Sequence, residues 1–254
     1  MNYETIRVRF DGPICFLQFY RPEANNSINS LMVNECTEIL EHCETSATLI
    51  VLEGLPDIFC FGADFSGIHD KIRNKEPIGT TPQALYRLWL KLASGPYVTI
   101  SHVRGKVNAG GIGFVAASDI VIADHTANFS LSELIFGLFP ACVMPFLIRR
   151  VGFQKAHYMT LMTHSFSANE ACQWGLADAC EVDSQSLLRK HLLRLRRLPK
   201  HGISTYKNYM NTLCNIHLKS ESEAINANKM MFSDPRNLDS IFNYVEKGKF
   251  PWES

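Results

Sequence analysis

The chain has 254 residues, in which 25 Lys and Arg are balanced by 25 Asp and Glu, and 46% of its residues are hydrophobic. This composition excludes intrinsic disorder, which requires low hydrophobicity and a high net charge. The length supports a self-sufficient core in one or two domains. A net charge of zero excludes bulk electrostatic binding of nucleic acid, which requires a clustered excess of basic residues.

The sequence carries no signal for a membrane or for export. The N-terminus lacks a basic segment followed by an apolar run, and no stretch reaches the roughly 18 uncharged apolar residues of a membrane span. We therefore expect a cytoplasmic protein that contacts no membrane. Its eight cysteines include no C-x-x-C pair, so their spacing predicts neither a zinc site nor a disulfide framework but reduced, mostly buried thiols.

The first part of the chain predicts a strand-helix-strand unit. Ile6–Phe10 and Ile14–Phe19 are apolar or alternating segments around an Asp-Gly-Pro turn, a pattern typical of a β-hairpin. Ser30 is a suitable N-cap for a helix that runs to about Cys43. The continuous apolar run Ala47–Leu52 is typical of a strand buried on both faces of a sheet. Together these elements predict a βαβ crossover.

The alternation continues to about residue 123, after which helical patterns dominate. Gln83–Leu92 has its apolar residues on one helical face, Tyr97–Val103 is strand-like, and a glycine-rich segment leads into a small-residue helix ending near Ala117. Asp119–Ala123 is a further strand. No strand is predicted after about residue 180, and the predicted helices are Phe153–Met162, Ala168–Trp174, Ser184–Leu198, Ile203–Cys214 and Ser220–Met231. These patterns divide the chain into a β/α core, residues 1–195, and a helical C-terminal region, residues 196–254.

A glycine cluster, NAGGIGF from residue 108, follows one predicted strand, and two structural interpretations fit it. Gly111-x-Gly113-x-x-Ala116 satisfies the loose dinucleotide-binding fingerprint, with Glu133 in the place of the ribose-binding acid. That fingerprint normally belongs to the first βαβ unit, whereas this cluster comes after a complete hairpin and crossover. The other interpretation is a tight strand-to-helix turn whose small residues allow close packing.

A third interpretation makes the cluster half of an oxyanion hole. A helix N-terminus presents unpaired N–H groups and the positive end of the helix dipole, so the Gly110 N–H can donate to an oxygen that becomes negative during a reaction. An oxyanion hole needs a second donor. The loop Phe61-Gly62-Ala63-Asp64 also follows an apolar strand, and the Ala63 N–H is a suitable partner.

Glu133 is an acidic residue within the mainly apolar segment Phe129–Leu134. Burial would raise its pKa into the range useful for proton transfer, which makes Glu133 a candidate general acid or base. The alternative is structural, because Ser130-x-x-Glu133 matches a capping box at a helix N-terminus. Cys60 and His102 are interpreted as a core thiol and a hydrogen-bonded core histidine rather than as a nucleophile and a base.

A basic run lies near the boundary between the two predicted regions. Between residues 188 and 207 there are seven Lys or Arg and no acidic residue. The usual interpretation is a solvated helix face. The functional alternative is a surface for a partner that is acidic or carries phosphate. The run comprises Arg189, Lys190, Arg194, Arg196, Arg197, Lys200 and Lys207, with His191 and His201 among them.

Several motifs together resemble one enzyme family. They are RPEANNSIN from residue 21, FGAD from residue 61, Gly110-Gly111 followed by Asp119-Ile120, Phe129-x-x-x-Glu133-x-x-x-Gly137, and Ala168-x-x-Ala171-x-x-x-Gly175-Leu176. In this order, over nearly the whole chain, the set resembles the enoyl-CoA hydratase/isomerase (crotonase) superfamily. Stretches such as FCFGADF and GPYVTISHVRGKVNAGG resemble the family members found in polyketide synthase clusters.

The resemblance implies an α/β fold, with a crotonase core of ββα spiral turns and a helical C-terminal region used for trimerisation. It implies chemistry on acyl thioesters, with Ala63 and Gly110 as the oxyanion hole and Glu133 as one of the two glutamates of a hydratase. The other glutamate corresponds to Gly113, so one carboxyl group must handle all proton transfers. No cofactor or metal is implied, and the substrate is carried on CoA or on the phosphopantetheine of an acyl carrier protein.

The resemblance to the family members of polyketide synthase clusters implies dehydration of a carrier-bound 3-hydroxy-3-methylglutaryl thioester to the 3-methylglutaconyl thioester. The implied partners are an acyl carrier protein and further copies of the chain in a homotrimer or hexamer. Alternatives are the decarboxylase of the following step, a general enoyl-CoA hydratase/isomerase, and a catalytically silent scaffold that holds a carrier protein or RNA. The residue that binds the distal carboxylate of the substrate stays open among Lys91, Tyr86, Arg87 and His102.

Overall fold

The computed structural model describes residues 3–67, 69 and 82–253, and their strands form two sheets. The larger sheet contains, in spatial order, β1 (Ile6–Asp11), β2 (Ile14–Phe19), β3 (Leu49–Glu53), β5 (Val98–Val103), β7 (Ile120–Asp124) and β10 (Ala179–Glu181). β1 and β2 form the predicted antiparallel hairpin, whereas the later neighbours pair in parallel. Parallel pairing requires crossover connections, which the helices provide.

The smaller sheet is built from strands of two or three residues that the sequence analysis did not identify. It contains β4 (Ile58–Cys60), β6 (Lys106–Asn108), β8 (Asn128–Ser130) and β9 (Phe166–Ser167). β4, β6 and β8 are parallel, and β9 pairs antiparallel to β8. Because β4 follows β3, β6 follows β5 and β8 follows β7, each turn of the chain adds one strand to each sheet. This arrangement is the predicted spiral.

The predicted helices are present, with ends shifted by up to about three residues. The first helix begins after Asn29, whose side chain accepts a hydrogen bond from the Met32 amide, so Asn29 is the N-cap and the prediction of Ser30 is wrong by one residue. The helices are α1 (Ser30–Ser46), α2 (Pro82–Ser94), α3 (Gly110–Ala117), α4 (Met144–Val151), α5 (Phe153–Met162), α6 (Ala168–Gln173), α7 (Ser184–Leu195), α8 (Lys200–Leu213), α9 (Ile216–Lys219), α10 (Glu221–Phe232) and α11 (Pro235–Lys247).

The larger sheet separates two apolar cores, because successive side chains of a strand point to opposite faces. One face, which includes Phe16 and Val51, packs against Leu188 and Leu192 of α7. The other face belongs to the main core, which α1, α2 and α3 close. α7 therefore lies across the sheet from α3, a placement that matters for the basic run.

The C-terminal helices pack against the core. On α8 the Lys207 ammonium group is buried, where it donates to the Tyr97 carbonyl at 2.9 Å and to Asp119 at 2.6 Å. α11, in a segment for which no element was predicted, packs on the short 3-10 turn Glu133–Phe136 through the Phe136 and Tyr244 rings, whose centroids are 5.2 Å apart. None of the described helices is long and apolar enough to cross a bilayer.

Candidate functional site

The two glycine loops converge at the end of the smaller sheet. The Ile28 amide donates to the Gly62 carbonyl at 2.7 Å, and the Asp64 amide donates to the Ile28 carbonyl at 3.2 Å, so Ala63 is held between two backbone hydrogen bonds. Arg21 pairs with Asp64 at 3.1 Å and secures the end of the loop. The Ala63 N–H takes part in neither hydrogen bond, and Ala63 is exposed to solvent.

The second loop brings the Gly110 amide to the same place. Ala109 has a φ of 49°, which is unfavourable for a residue with a side chain, and Gly110 is the first residue of α3. A Cβ built on Gly62 would lie 3.3 Å from the Gly110 nitrogen, and one built on Gly110 would lie 4.0 Å from the Ala63 nitrogen. The two amides are therefore neighbours, which is the arrangement that an oxyanion hole requires.

The dinucleotide-binding interpretation of the glycine cluster does not fit this structure. A pyrophosphate needs close access to the backbone of the glycine turn and the start of its helix. The backbone of Gly113, the second glycine of the fingerprint, is covered by the Trp89 ring, which lies 2.3 Å from a Cβ built on Gly113, so a pyrophosphate cannot approach it.

Glu133 is the first residue of the 3-10 turn that follows β8. Its Oε2 atom is shielded from solvent and has no hydrogen-bond partner among the described residues, although the residue as a whole is only half-buried. Burial raises its pKa to about 7. A carboxyl group with this pKa exchanges a proton readily near neutral pH, which suits a general base that must later act as an acid.

The capping-box interpretation of Glu133 is wrong. The helical turn begins at Glu133 itself, with Ser132 as its N-cap, so Ser130 is too far along the chain to cap it. The Ser130 hydroxyl instead donates to the Asn108 side-chain oxygen at 2.8 Å. Glu133 is therefore free of the structural role that the alternative gave it.

Asn108 connects the loop that bears Gly110 to the turn that carries Glu133. Its Oδ1 accepts hydrogen bonds from Ser130 at 2.8 Å and from Ser132 at 3.1 Å, while its backbone continues through Ala109 into Gly110. Ser132 directly precedes Glu133. The sequence analysis did not single out Asn108; a polar residue at a strand end beside a glycine cluster was the available signal.

His102 lies in a buried polar network away from the two loops. Its Nδ1 is 2.9 Å from a Glu53 oxygen and its Nε2 is 3.0 Å from the Ser184 hydroxyl oxygen. This order of groups is that of a hydrolase triad, but Ser184 donates its single proton to Asp124 at 2.7 Å and is itself buried. His102 is thus a hydrogen-bonded core histidine, as predicted.

Cys60, like most of the eight cysteines, is a buried core thiol, as the sequence analysis predicted. All eight are free thiols and five are buried, in agreement with the sequence analysis. Burial raises the pKa of Cys60 to about 12, so the thiol stays protonated and unreactive near neutral pH.

The four candidates for the distal carboxylate contact all have partners within the chain. Three of them make side-chain ion pairs or contacts with acidic groups, and the fourth donates to a backbone carbonyl. The pairs are Lys91 with Glu41 and Glu44, Arg87 with Glu221, His102 with Glu53, and Tyr86 with the His217 carbonyl. None of them is selected by the structure.

The basic run divides into two groups. Lys207 is buried against Asp119, and Lys200 donates to the Ala47 carbonyl beyond the end of α1. The other five basic residues are exposed on α7 and the turn that follows, across the larger sheet from α3 and its Gly110 amide. They are Arg189, Lys190, Arg194, Arg196 and Arg197.

Known proteins with similar sequences and structures agree with this architecture. The family model for enoyl-CoA hydratase/isomerase matches residues 9–254. The bacillaene synthase dehydratase PksH of Bacillus subtilis is 58% identical over 254 residues, which are 100% of this chain and 98% of that protein. The 2,3-dehydroadipyl-CoA hydratase of Escherichia coli is 30% identical over 193 residues, 74% of this chain and 73% of that protein.

The solved structures confirm the predicted crotonase fold. A crystal structure of PksH from Bacillus subtilis superposes with a TM-score of 0.96 at 58% identity, covering 98% of this chain and 100% of that chain. An enoyl-CoA hydratase/isomerase from Marinobacter aquaeolei shares the fold, with a TM-score of 0.77 at 22% identity, and the match covers 98% of this chain and 99% of that chain.

Proposed function

The chain belongs to the enoyl-CoA hydratase/isomerase family, and from this premise we propose that it is a hydro-lyase of polyketide biosynthesis. Its proposed substrate is a carrier-bound 3-hydroxy-3-methylglutaryl thioester, which loses water to give the 3-methylglutaconyl thioester. The observation that carries the proposal is the combination of two neighbouring amide donors with one shielded carboxyl group of pKa about 7. Similarity to a dehydratase, PksH, supports the reaction class.

In the proposed mechanism, the thioester oxygen accepts hydrogen bonds from the Ala63 and Gly110 N–H groups. The Glu133 carboxylate removes a proton from C2, and the electron pair of that C–H bond moves to the thioester oxygen as an enolate. The enolate then collapses, forming the C2–C3 double bond and breaking the bond from C3 to the hydroxyl oxygen. Glu133 returns its proton to the departing oxygen, which leaves as water, and the enzyme is restored.

The amides and the carboxyl group each lower the activation barrier of the proposed dehydration in a different way. In other enzymes, removal of one oxyanion donor costs about 3–4 kcal/mol of transition-state stabilisation. A positioned general acid or base typically contributes about 10²–10⁴-fold in rate. Because a single carboxyl group serves as base and then as acid, the proton must leave and return on the same face of the substrate.

The proposed carrier of the substrate is an acyl carrier protein. Support comes from the similarity to a bacillaene synthase dehydratase. The basic run adds little to it, since two of its seven residues bind groups within the chain and the other five lie across the sheet from the Gly110 amide. Charge reversal on α7 should therefore leave the KM for a carrier-bound substrate unchanged unless a second copy of the chain places α7 beside the site.

Self-association is also part of the proposal. Large apolar side chains are exposed on α5 and α8, a density that is unusual for a solvated helix face. They include Phe153, Leu161, Met162, Tyr206, Tyr209 and Leu213. Such a surface supports a homotrimer or hexamer, which light scattering of the purified chain would distinguish from a monomer by mass.

The proposed reaction is tested by mass spectrometry of the intact carrier protein. The wild type should remove one water from the 3-hydroxy-3-methylglutaryl thioester, and Glu133→Gln should lower this rate by about 10²–10⁴-fold with an unchanged circular dichroism spectrum. Loss of carbon dioxide from the glutaconyl thioester without any dehydration would identify a decarboxylase instead. Full activity in Glu133→Gln would refute the mechanism, and the CoA ester run in parallel measures the preference for the carrier.

A further inference from the structure

Trp89 of α2 occupies the space that a side chain at position 113 would need. Gly113 lies one helical turn beyond Gly110, so both residues share one face of α3. A Cβ built on Gly113 would lie 2.3 Å from Trp89 Cζ2, 2.5 Å from Cε2 and 2.6 Å from Cη2. The indole thus occupies the place that, by the resemblance to hydratases, corresponds to their second carboxyl group.

The ring is fixed in this position. Trp89 is only 1% exposed. It packs edge-on against Phe114 and against Phe146, with ring centroids 5.9 Å apart in both pairs and interplanar angles of 88° and 75°. Because an indole is rigid and both of its neighbours are buried, a methyl group at position 113 would clash with the ring.

Trp89 also carries a polar group that packing does not explain. Its Nε1 is buried and has no hydrogen-bond partner in the part of the chain that the structure describes. Buried N–H groups are rarely left without an acceptor. Nε1 is bonded to Cε2, one of the ring atoms nearest to position 113, so the donor lies at the edge of the ring that faces α3. Glu133 Oε2 is another of the few shielded side-chain atoms that have no partner among the described residues.

The spacing along α3 suggests what this donor binds. Position 113 lies about 4.5 Å along the helix axis from the Gly110 amide, at a rise of about 1.5 Å per residue. In the proposed substrate, only three bonds separate the thioester carbon from the 3-hydroxyl oxygen, so this oxygen lies within one helical turn of the oxyanion hole. An N–H donor beside position 113 can therefore reach the hydroxyl oxygen, which gains negative charge as its bond to C3 breaks.

We propose that Trp89 is a substrate-contacting residue whose ring excludes a second carboxyl group from the site and whose Nε1–H donates to the departing 3-hydroxyl oxygen. This inference rests on the proposed dehydration. Trp89 then orients the leaving group and stabilises its developing charge, while Glu133 supplies the proton. The site thereby replaces a titratable group by a neutral donor that cannot take up a proton in competition with Glu133.

The test replaces the indole at position 89 by benzothienylalanine, which keeps the shape of the ring but has sulfur in place of N–H. We expect kcat on the carrier-bound substrate to fall about 10–10²-fold, with KM nearly unchanged and with an unfolding midpoint equal to or above that of the wild type, since a buried donor without a partner is removed. The same replacement at Trp174, which lies outside the site, is the control and should leave kcat unchanged. An unchanged kcat with the analogue at position 89 would overturn the proposed contact.

A second measurement does not depend on turnover. Gly113→Ala should lower the unfolding midpoint strongly in the wild type, and much less in a Trp89→Leu background, because the clash with the ring is gone. Equal shifts in both backgrounds would overturn the steric part of the proposal. A wild type that does not dehydrate the substrate would refute the proposed function, whereas an active wild type with an equally active analogue would refute only the role of Trp89.

Discussion

Replacing Gly62 by Ala tests whether the close approach of the two loops is needed for catalysis. Gly62 has a φ of +90°, and an added Cβ would lie 2.8 Å from the Ala109 Cβ and 3.3 Å from the Gly110 nitrogen. A left-handed backbone costs an L-residue about 1–2 kcal/mol, and overpacking adds about 1–3 kcal/mol. We therefore expect Gly62→Ala to lower the unfolding free energy by about 2–5 kcal/mol.

The chain offers a matched control for the backbone strain. Gly175 has a φ of +77°, and no atom lies within 4 Å of an added Cβ. Gly175→Ala should therefore lose only the about 1–2 kcal/mol of the left-handed backbone and keep full turnover. Urea denaturation measures the unfolding free energy of both variants.

Turnover separates the catalytic effect of Gly62→Ala from its effect on stability. The new methyl group pushes the Ala63 and Gly110 amides apart, so one donor no longer reaches the thioester oxygen. The loss of one donor lowers kcat by about 10²-fold or more. Dehydration of the carrier-bound substrate is measured under conditions where the variant is folded. Unaltered turnover in Gly62→Ala, or an equal loss in Gly175→Ala, would refute the argument.

Three further predictions concern other parts of the molecule. Between pH 4.5 and about 7 the folded chain keeps a proton on Glu133 that the unfolded chain has released. The free energy of unfolding should therefore fall by on the order of 3 kcal/mol as the pH rises through this range. Parallel urea titrations should show that Glu133→Gln lacks this pH-dependent decrease. Lys207→Met leaves Asp119 without its buried cation and should cost up to about 3 kcal/mol in urea while turnover is retained. Asn108→Leu removes the acceptor for Ser132 and should lower kcat by about 10–10²-fold, more than its loss of stability explains, in steady-state assays.

The longer elements could be predicted because each contains enough residues to show a period. Strands β1, β2, β3, β5 and β7 have five or six residues, and their apolar runs predicted them within about two positions. Strands of two or three residues, such as β8, contain too few positions for an alternation to be visible. The smaller sheet was therefore not predicted, although the loop that bears Gly110 and the turn that bears Glu133 both follow its strands.

The site residues were predicted from motifs, whereas their surroundings depend on contacts between distant segments. The placement of Ala63 beside Gly110 followed from two similar loops after two strands, and the structure brings them together. No local sequence pattern predicts that Trp89 fills the space beside Gly113, because the two residues belong to different helices. The burial that raises the pKa of Glu133 is likewise a property of the folded chain.

The contact between α11 and the Glu133–Phe136 turn can form only late in protein synthesis. The Phe136 ring meets Tyr244 of α11 and, beyond the helix, Phe250, with centroids 5.2 and 6.3 Å apart. A ribosome adds these two residues after the strands of both sheets have been made. The strands of both sheets are therefore synthesised before the turn that bears Glu133 can gain the aromatic side chains that pack on it.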